Sequence, residues 1–200
     1  MRPLKPHHKP LRVSGLVYHP NWSSVMINKF NKCVAYLRVK DVERISIMRV
    51  IVVFETNYGN TRRVAEEIRE GMKEVSGVEV VLKELKEVDV RDIANFDMIL
   101  IGSPNHMGGP TRGIKAFIDE LGRLRLEGVM YAAFDTYMGG DREKAVRKIV
   151  ERVSKRAPWL KQVAGGLSVR VQGLRGPVAE GELPKCREFG RSIAAQLKRG

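Results

Sequence analysis

From Met48 to the end of the chain, short apolar blocks alternate five times with amphipathic stretches, and this alternation constrains the fold more tightly than any other feature. The blocks at 50–54, 78–82, 98–101, 129–134 and 167–171 have the length and composition of strands. Between and after them, helical patterns run over 62–75, 111–121, 141–157 and 182–197, with a short one at 90–95. Each connection is too long for a hairpin, so the strands pair through right-handed crossovers into a parallel sheet. The expected class is α/β: a doubly wound, five-stranded parallel sheet between two helical layers. Blocks one, three and four are apolar almost without interruption, as strands buried on both faces must be. Blocks two and five are broken by Glu79, Ser168 and Arg170 and suit the rims. The strand order that satisfies both conditions is 2-1-3-4-5, with its reversal between strands one and three.

Charge divides the chain at the same point. The 200 residues carry 36 Lys and Arg against 23 Asp and Glu, a net charge of +13. Residues 1–47 hold 9 basic and 2 acidic side chains, so this short segment carries +7 of the excess and 48–200 the remaining +6. Residues 1–47 are punctuated by Pro3, Pro6, Pro10 and Pro20, and read as a basic N-terminal extension, docked or mobile, with a short helix at 23–38. Synthesis from Met48 would leave that segment outside the native product. Its aromatics are sparse and its charges scattered, which argues against a nucleic-acid arm. His7 and His8 have no partners at metal-ligand spacing. Two cysteines, Cys33 and Cys186, make neither a disulfide framework nor a four-cysteine metal site, and point to a reducing cytoplasm. No apolar run approaches the roughly 20 residues that span a bilayer.

In open parallel sheets ligands settle beyond the carboxyl ends of the strands, where the order reverses. The loops that meet there are 55–61 and 102–111. The first reads ETNYGNT and leads into a helix. Gly59 permits a tight turn, while Thr56, Asn57, Asn60 and Thr61 set short polar side chains beside the free amides of the helix start. Neither GxxxxGK[ST] nor GxGxxG occurs in this loop, so a single terminal phosphate held by neutral donors fits it better than a nucleoside triphosphate or a dinucleotide. A phospho-receiver domain shares the architecture, but it wants acidic residues where strand three ends in Gly102 and Ser103.

TNYGNT after strand one, GSPNHMGGPT after strand three and AAFDTY at the end of strand four, followed by GPVAEGEL and EFGRSIAAQL, resemble the flavodoxin family in its short-chain form, from Met48 to Gly200. The resemblance implies a flavodoxin-like three-layer sandwich and a noncovalent FMN. Thr56, Asn57, Tyr58, Gly59, Asn60 and Thr61 would wrap the phosphate. Ser103, Pro104, Asn105, His106, Met107, Gly108 and Gly109 would border the isoalloxazine, and Asp135, Thr136 and Tyr137 would close the other side. A peptide beside Gly108 or Gly109 would turn its carbonyl to the one-electron-reduced flavin. Neither Trp22 nor Trp159 falls in a cofactor loop, so Tyr137, Met138 and His106 are the candidates for the ring faces. The family resemblance implies an electron carrier. A reductase taking hydride from NAD(P)H, and a noncatalytic module of the same fold, are the alternatives. Relatives are acidic and this chain is basic, so the expected partner has an acidic face, such as a ferredoxin-like protein.

Overall fold

A computed structural model describes residues 47–199. The expected helix at 23–38 and the readings of His7, His8, Trp22 and Cys33 lie outside the described residues. The core elements are β1 (Met48–Phe54), α1 (Asn60–Lys73), β2 (Val78–Glu84), β3 (Met98–Pro104), α2 (Arg112–Leu124), β4 (Met130–Tyr137), α3 (Lys144–Arg156), β5 (Lys161–Gln162), β6 (Leu167–Arg170) and α4 (Glu182–Leu197). The short pattern at 90–95 forms a 3-10 helix, Val90–Asn95. All strands pair in parallel, in the order β2-β1-β3-β4-β5, with β6 also on β4.

The order 2-1-3-4-5 is as the apolar pattern requires, but the fifth position is filled by two pieces, giving six strands instead of five. Gln162 pairs with Tyr131 and Leu167 with Phe134, so four residues of the rim strand span two of β4. The excess bulges at 163–166, where α3 presses against the chain: a Cβ on Gly166 would lie 2.3 Å from Val146 Cγ2.

Side-chain parity sorts the two helical layers, because successive residues of a strand face opposite sides. Ile51, Val53, Ile99, Ile101, Tyr131 and Ala133 pack with α2 and α3. Val50, Val52, Phe54, Leu100, Ala132 and Phe134 pack with α1 and α4. On that second face the two helices touch backbone to backbone. A Cβ on Gly71 would lie 1.9 Å from the Arg187 carbonyl oxygen, and one on Gly190 2.1 Å from that of Ile68. Cys186 is buried in this layer, and burial pushes its thiol up to about 12. It is a packing residue. The close crossing fixes α1 against the sheet and thereby aims its N-terminus at the reversal point.

Candidate cofactor site

The N-terminus of α1 begins at Gly59, whose φ of 84° lies in the left-handed region. Its N–H donates to Thr56 Oγ1 at 3.0 Å, closing the turn that brings 56–59 over the end of β1. No side chain caps the helix, and the first intrahelical bond runs from Arg63 N to Gly59 O. The amides of Asn60, Thr61 and Arg62 therefore precede the ladder and are open to an anion. Thr61 is buried, and its hydroxyl shares a 3.0 Å hydrogen bond with that of Thr136 at the end of β4. Loop one is thus joined to loop three beneath the opening.

Loop two is anchored at both ends. Asn105 N donates to Thr136 O at 2.7 Å, and His106 N to Gly109 O at 2.7 Å, with Gly109 N returning to His106 O at 3.3 Å. Met107 and Gly108 form the tip between them, with φ of 52° and 76°. Positive φ at both central residues is the primed geometry of a two-residue turn, and a methionine holds it only under strain. Below the tip, Glu55 Oε2 accepts from Thr111 Oγ1 at 2.5 Å, tying β1 to the start of α2.

One cleft joins the three loops: Thr56, Asn57, Tyr58, Asn60 and Thr61 line it from the first, Pro104, Asn105 and His106 from the second, Thr136 and Tyr137 from the third. Gly59 shapes its rim. Met138, Val171 and Leu174 complete the wall. The sequence reading places Val171 at the end of the fifth strand block and gives Leu174 no role; neither is among the expected site residues. They arrive on a fourth loop, closed by Gln172 N to Pro177 O and Gly176 N to Gly173 O, both 2.9 Å. Gly176 has φ 92° and sits so close to Asn60 that a Cβ would lie 2.2 Å from its Oδ1. The signal for this loop is the leucine between turn glycines in QGLRGPV, an apolar residue with no core to enter.

Two expected site residues face elsewhere. Ser103 and Asp135 pair across β3 and β4 and share the parity of Ile101 and Ala133, so both point toward α2 and α3 and are buried. Ser103 Oγ accepts from Thr111 N at 3.0 Å and donates to the Pro104 carbonyl. Asp135 accepts from Ser168 Oγ at 2.5 Å and from Val146 N at 2.8 Å. It does for α3 what Glu143, the N-cap residue, does not. Met107 is 93% exposed, and Gly109 belongs to a neighbouring cleft.

Burial holds the Asp135 carboxyl above its ordinary 3.8, against the pull of its hydrogen bonds from Ser168 and the amides of Val146 and Ala145. The native state therefore binds this proton more tightly than the unfolded chain. The group's contribution to stability is fully present below 3.8 and declines as pH rises through the elevated value. The advantage of the wild type over Asp135→Asn in urea unfolding is expected to be smaller at pH 7 than at pH 4. An advantage that grows with pH contradicts this account.

The cleft fits FMN on an observation independent of the motifs. Asn105 donates through Nδ2 to the Asp141 carbonyl at 3.0 Å, which leaves Oδ1 as a buried acceptor with no partner among the described residues. A buried acceptor without a donor costs about 1–3 kcal/mol, and a flavin ring N–H supplies one. Open helix amides at one end and an orphaned acceptor at the other match a phosphate and a polar ring edge. Among the described residues no group of three or more His, Cys, Asp or Glu is placed to hold a metal ion, and no helix is long and apolar enough to cross a membrane.

Comparison with known proteins gives the same answer. The flavodoxin domain model matches residues 51–174. A flavodoxin of Aquifex aeolicus is 30% identical over 158 residues, covering 73% of this chain and 85% of that protein. An NAD(P)H dehydrogenase (quinone) of Geotalea daltonii is 30% identical over 124 residues, 46% of this chain and 60% of its own. Among solved structures, a flavodoxin from the domain Archaea superposes with a TM-score of 0.65 at 25% identity, covering 76% of this chain and 99% of that one.

Proposed function

The chain belongs to the flavodoxin family, and from that membership we propose that it carries electrons, one or two at a time, between redox proteins. FMN is the family's cofactor; when bound it supplies reversible one- and two-electron chemistry. The protein's own residues do the rest. The amides at the start of α1 and the side chains of Thr56, Asn57 and Asn60 hold the phosphate. Asn105 orients the ring through its free Oδ1, and Tyr137, Met138 and Leu174 cover its faces. Thr61 and Thr136 hold the first and third loops at a fixed separation.

The observation that carries this reading is the convergence of three loops on one cleft that contains an unpartnered buried acceptor. An electron carrier needs no substrate pocket beyond it. Its partner is a redox protein with an acidic face, ferredoxin-like in kind. A reductase would need a second seat for nicotinamide over the ring, and among the described residues no Phe, Tyr or Trp lines the cleft that adjoins the flavin site.

The two readings separate in an anaerobic cuvette. NADPH alone is expected to leave the flavin absorbance of the FMN-loaded protein unchanged over minutes, while addition of a catalytic amount of an NADPH-dependent flavoprotein reductase bleaches it. Rapid bleaching by NADPH without that second protein overturns the carrier assignment.

A further inference from the structure

Six large hydrophobic side chains are exposed among the described residues; three of them, Tyr58 at 50%, Met138 at 41% and Leu174 at 65%, line the flavin cleft, and a fourth, Met107 at 93%, lines the cleft that adjoins it at Asn57 and His106. Beside this apolar collar, on the side of the Met107 tip, a cleft of about 510 Å³ is lined by Arg112, Lys115 and Lys148 together with Asn57 and His106. A second cleft of about 260 Å³ shares Pro110, Lys115 and Lys148 with it and extends the furrow between α2 and α3 to Lys155 and Arg156.

The furrow's charges are not balanced internally. Its carboxylates are already committed. Asp119 is bonded to Arg152 and paired with Arg156, and Glu151 bonds Lys155 at 2.6 Å. Among the described residues, Arg112, Lys115 and Lys148 make no ion pair. The N-terminus of α2 adds its dipole at the same end. Lys148 leans over loop two, its Cδ 3.1 Å from where a Cβ on Gly109 would stand.

We propose that this furrow and the apolar collar together form the docking surface for an acidic protein partner in one-electron exchange. The proposal rests on the FMN reading above and specifies the surface that reading leaves open. An apolar centre at the redox edge with a charged flank is the anatomy of a transient interface. Lys148 and Lys155 lie seven residues apart, about 10 Å along α3, a spread that suits a protein face better than a single phosphate. Among the described residues no Phe, Tyr or Trp lines either cleft, so these residues offer a purine no broad platform. In each encounter one electron leaves the partner's iron–sulfur cluster, which is oxidised, and enters the bound flavin, which is reduced; two encounters complete the two-electron reduction, with protons drawn from solvent.

The test uses the full FMN-loaded chain and a dithionite-reduced acidic [2Fe–2S] ferredoxin as the probe, mixed by stopped flow at low ionic strength. Lys115→Glu with Lys148→Glu is expected to lower the second-order rate constant about tenfold, and the gap to close as salt is raised. The neutral pair Lys115→Gln with Lys148→Gln should show a smaller loss in the same direction. Lys83→Glu with Lys161→Glu changes the net charge equally, outside the furrow, and is expected to stay within about twofold of the wild type. Equal losses in the two Glu pairs, or no loss in either, overturn the proposal. So does bleaching by NADPH alone that slows in the furrow variant, which would make the furrow a nucleotide site. If the chain takes up no FMN, that failure shows beforehand as colourless protein. The furrow is then read by titrating decaglutamate into the isotope-labelled chain: shifts at the Lys115 and Lys148 amides support it, and their absence sinks it.

Discussion

FMN is expected to bind the Asn60→Asp variant about 100-fold more weakly than the wild type, while riboflavin binds both alike. Asn60 is the first residue of α1 and lines the cleft from the phosphate end. The substitution is isosteric, so its packing against Gly176 survives. It adds one negative charge beside a phosphate that carries its own. Unit charges about 4 Å apart repel by about 4 kcal/mol at the effective dielectric of a protein surface, and even about 3 kcal/mol amounts to two decades in affinity. The same carboxylate is favourable to the helix, whose N-terminus attracts negative charge. The variant should therefore fold as well as the wild type or slightly better while losing its nucleotide. Riboflavin lacks the phosphate and serves as the internal control. Fluorescence titrations of both flavins decide the matter: equal weakening of the two would mean that Asn60 touches the ring end, not the phosphate.

Gly190→Val is expected to destabilise the fold by about 3 kcal/mol or more, the upper range for overpacking. The reason is geometric. At this position the nearest atom to an added Cβ is the backbone carbonyl of Ile68 on the facing helix, which has no rotamer to escape into. Gly71 presents the reciprocal contact with Arg187. To admit valine, α1 and α4 must separate, and Ile68, Met72, Ile193 and Ala194 lose their close packing. Because α1 carries the phosphate end of the cleft, FMN affinity should fall with stability. Urea unfolding of the variant measures the loss. A change under about 1 kcal/mol would mean that the helices cross with more room than the structure gives them.

The strand order was legible because central strands must be apolar on both faces, a property that β1, β3 and β4 display and β2 does not. Helix ends were less so. The pattern places the start of α3 at Asp141, yet the helix begins at Lys144, because Glu143 adopts a φ of 62° and Asp135 of another strand receives the first amides. That partner lies only eleven residues before Val146 but on β4, outside the helical pattern itself, so the pattern carries no sign of it. Motif matching put Ser103 and Asp135 in the site because both sit at strand ends. Counting parity from Ile101 and Ala133 would have turned them to the other face, toward α2 and α3. The split rim strand was hidden for another reason: Val163 and Ala164 extend the apolar text, and only the contact of Gly166 with Val146 reveals the bulge. Leu174 was invisible to periodicity, since it belongs to neither a helix nor a strand.

The central claim is that neutral side chains and helix amides at the carboxyl end of the sheet hold one FMN. The direct measurement is a fluorescence titration of the cofactor-stripped full chain with FMN at micromolar concentration. Quenching that ends sharply at one FMN per chain, with a yellow protein surviving gel filtration, is the predicted result. Fluorescence that rises as free FMN from the first addition, with colourless protein after filtration, would contradict it.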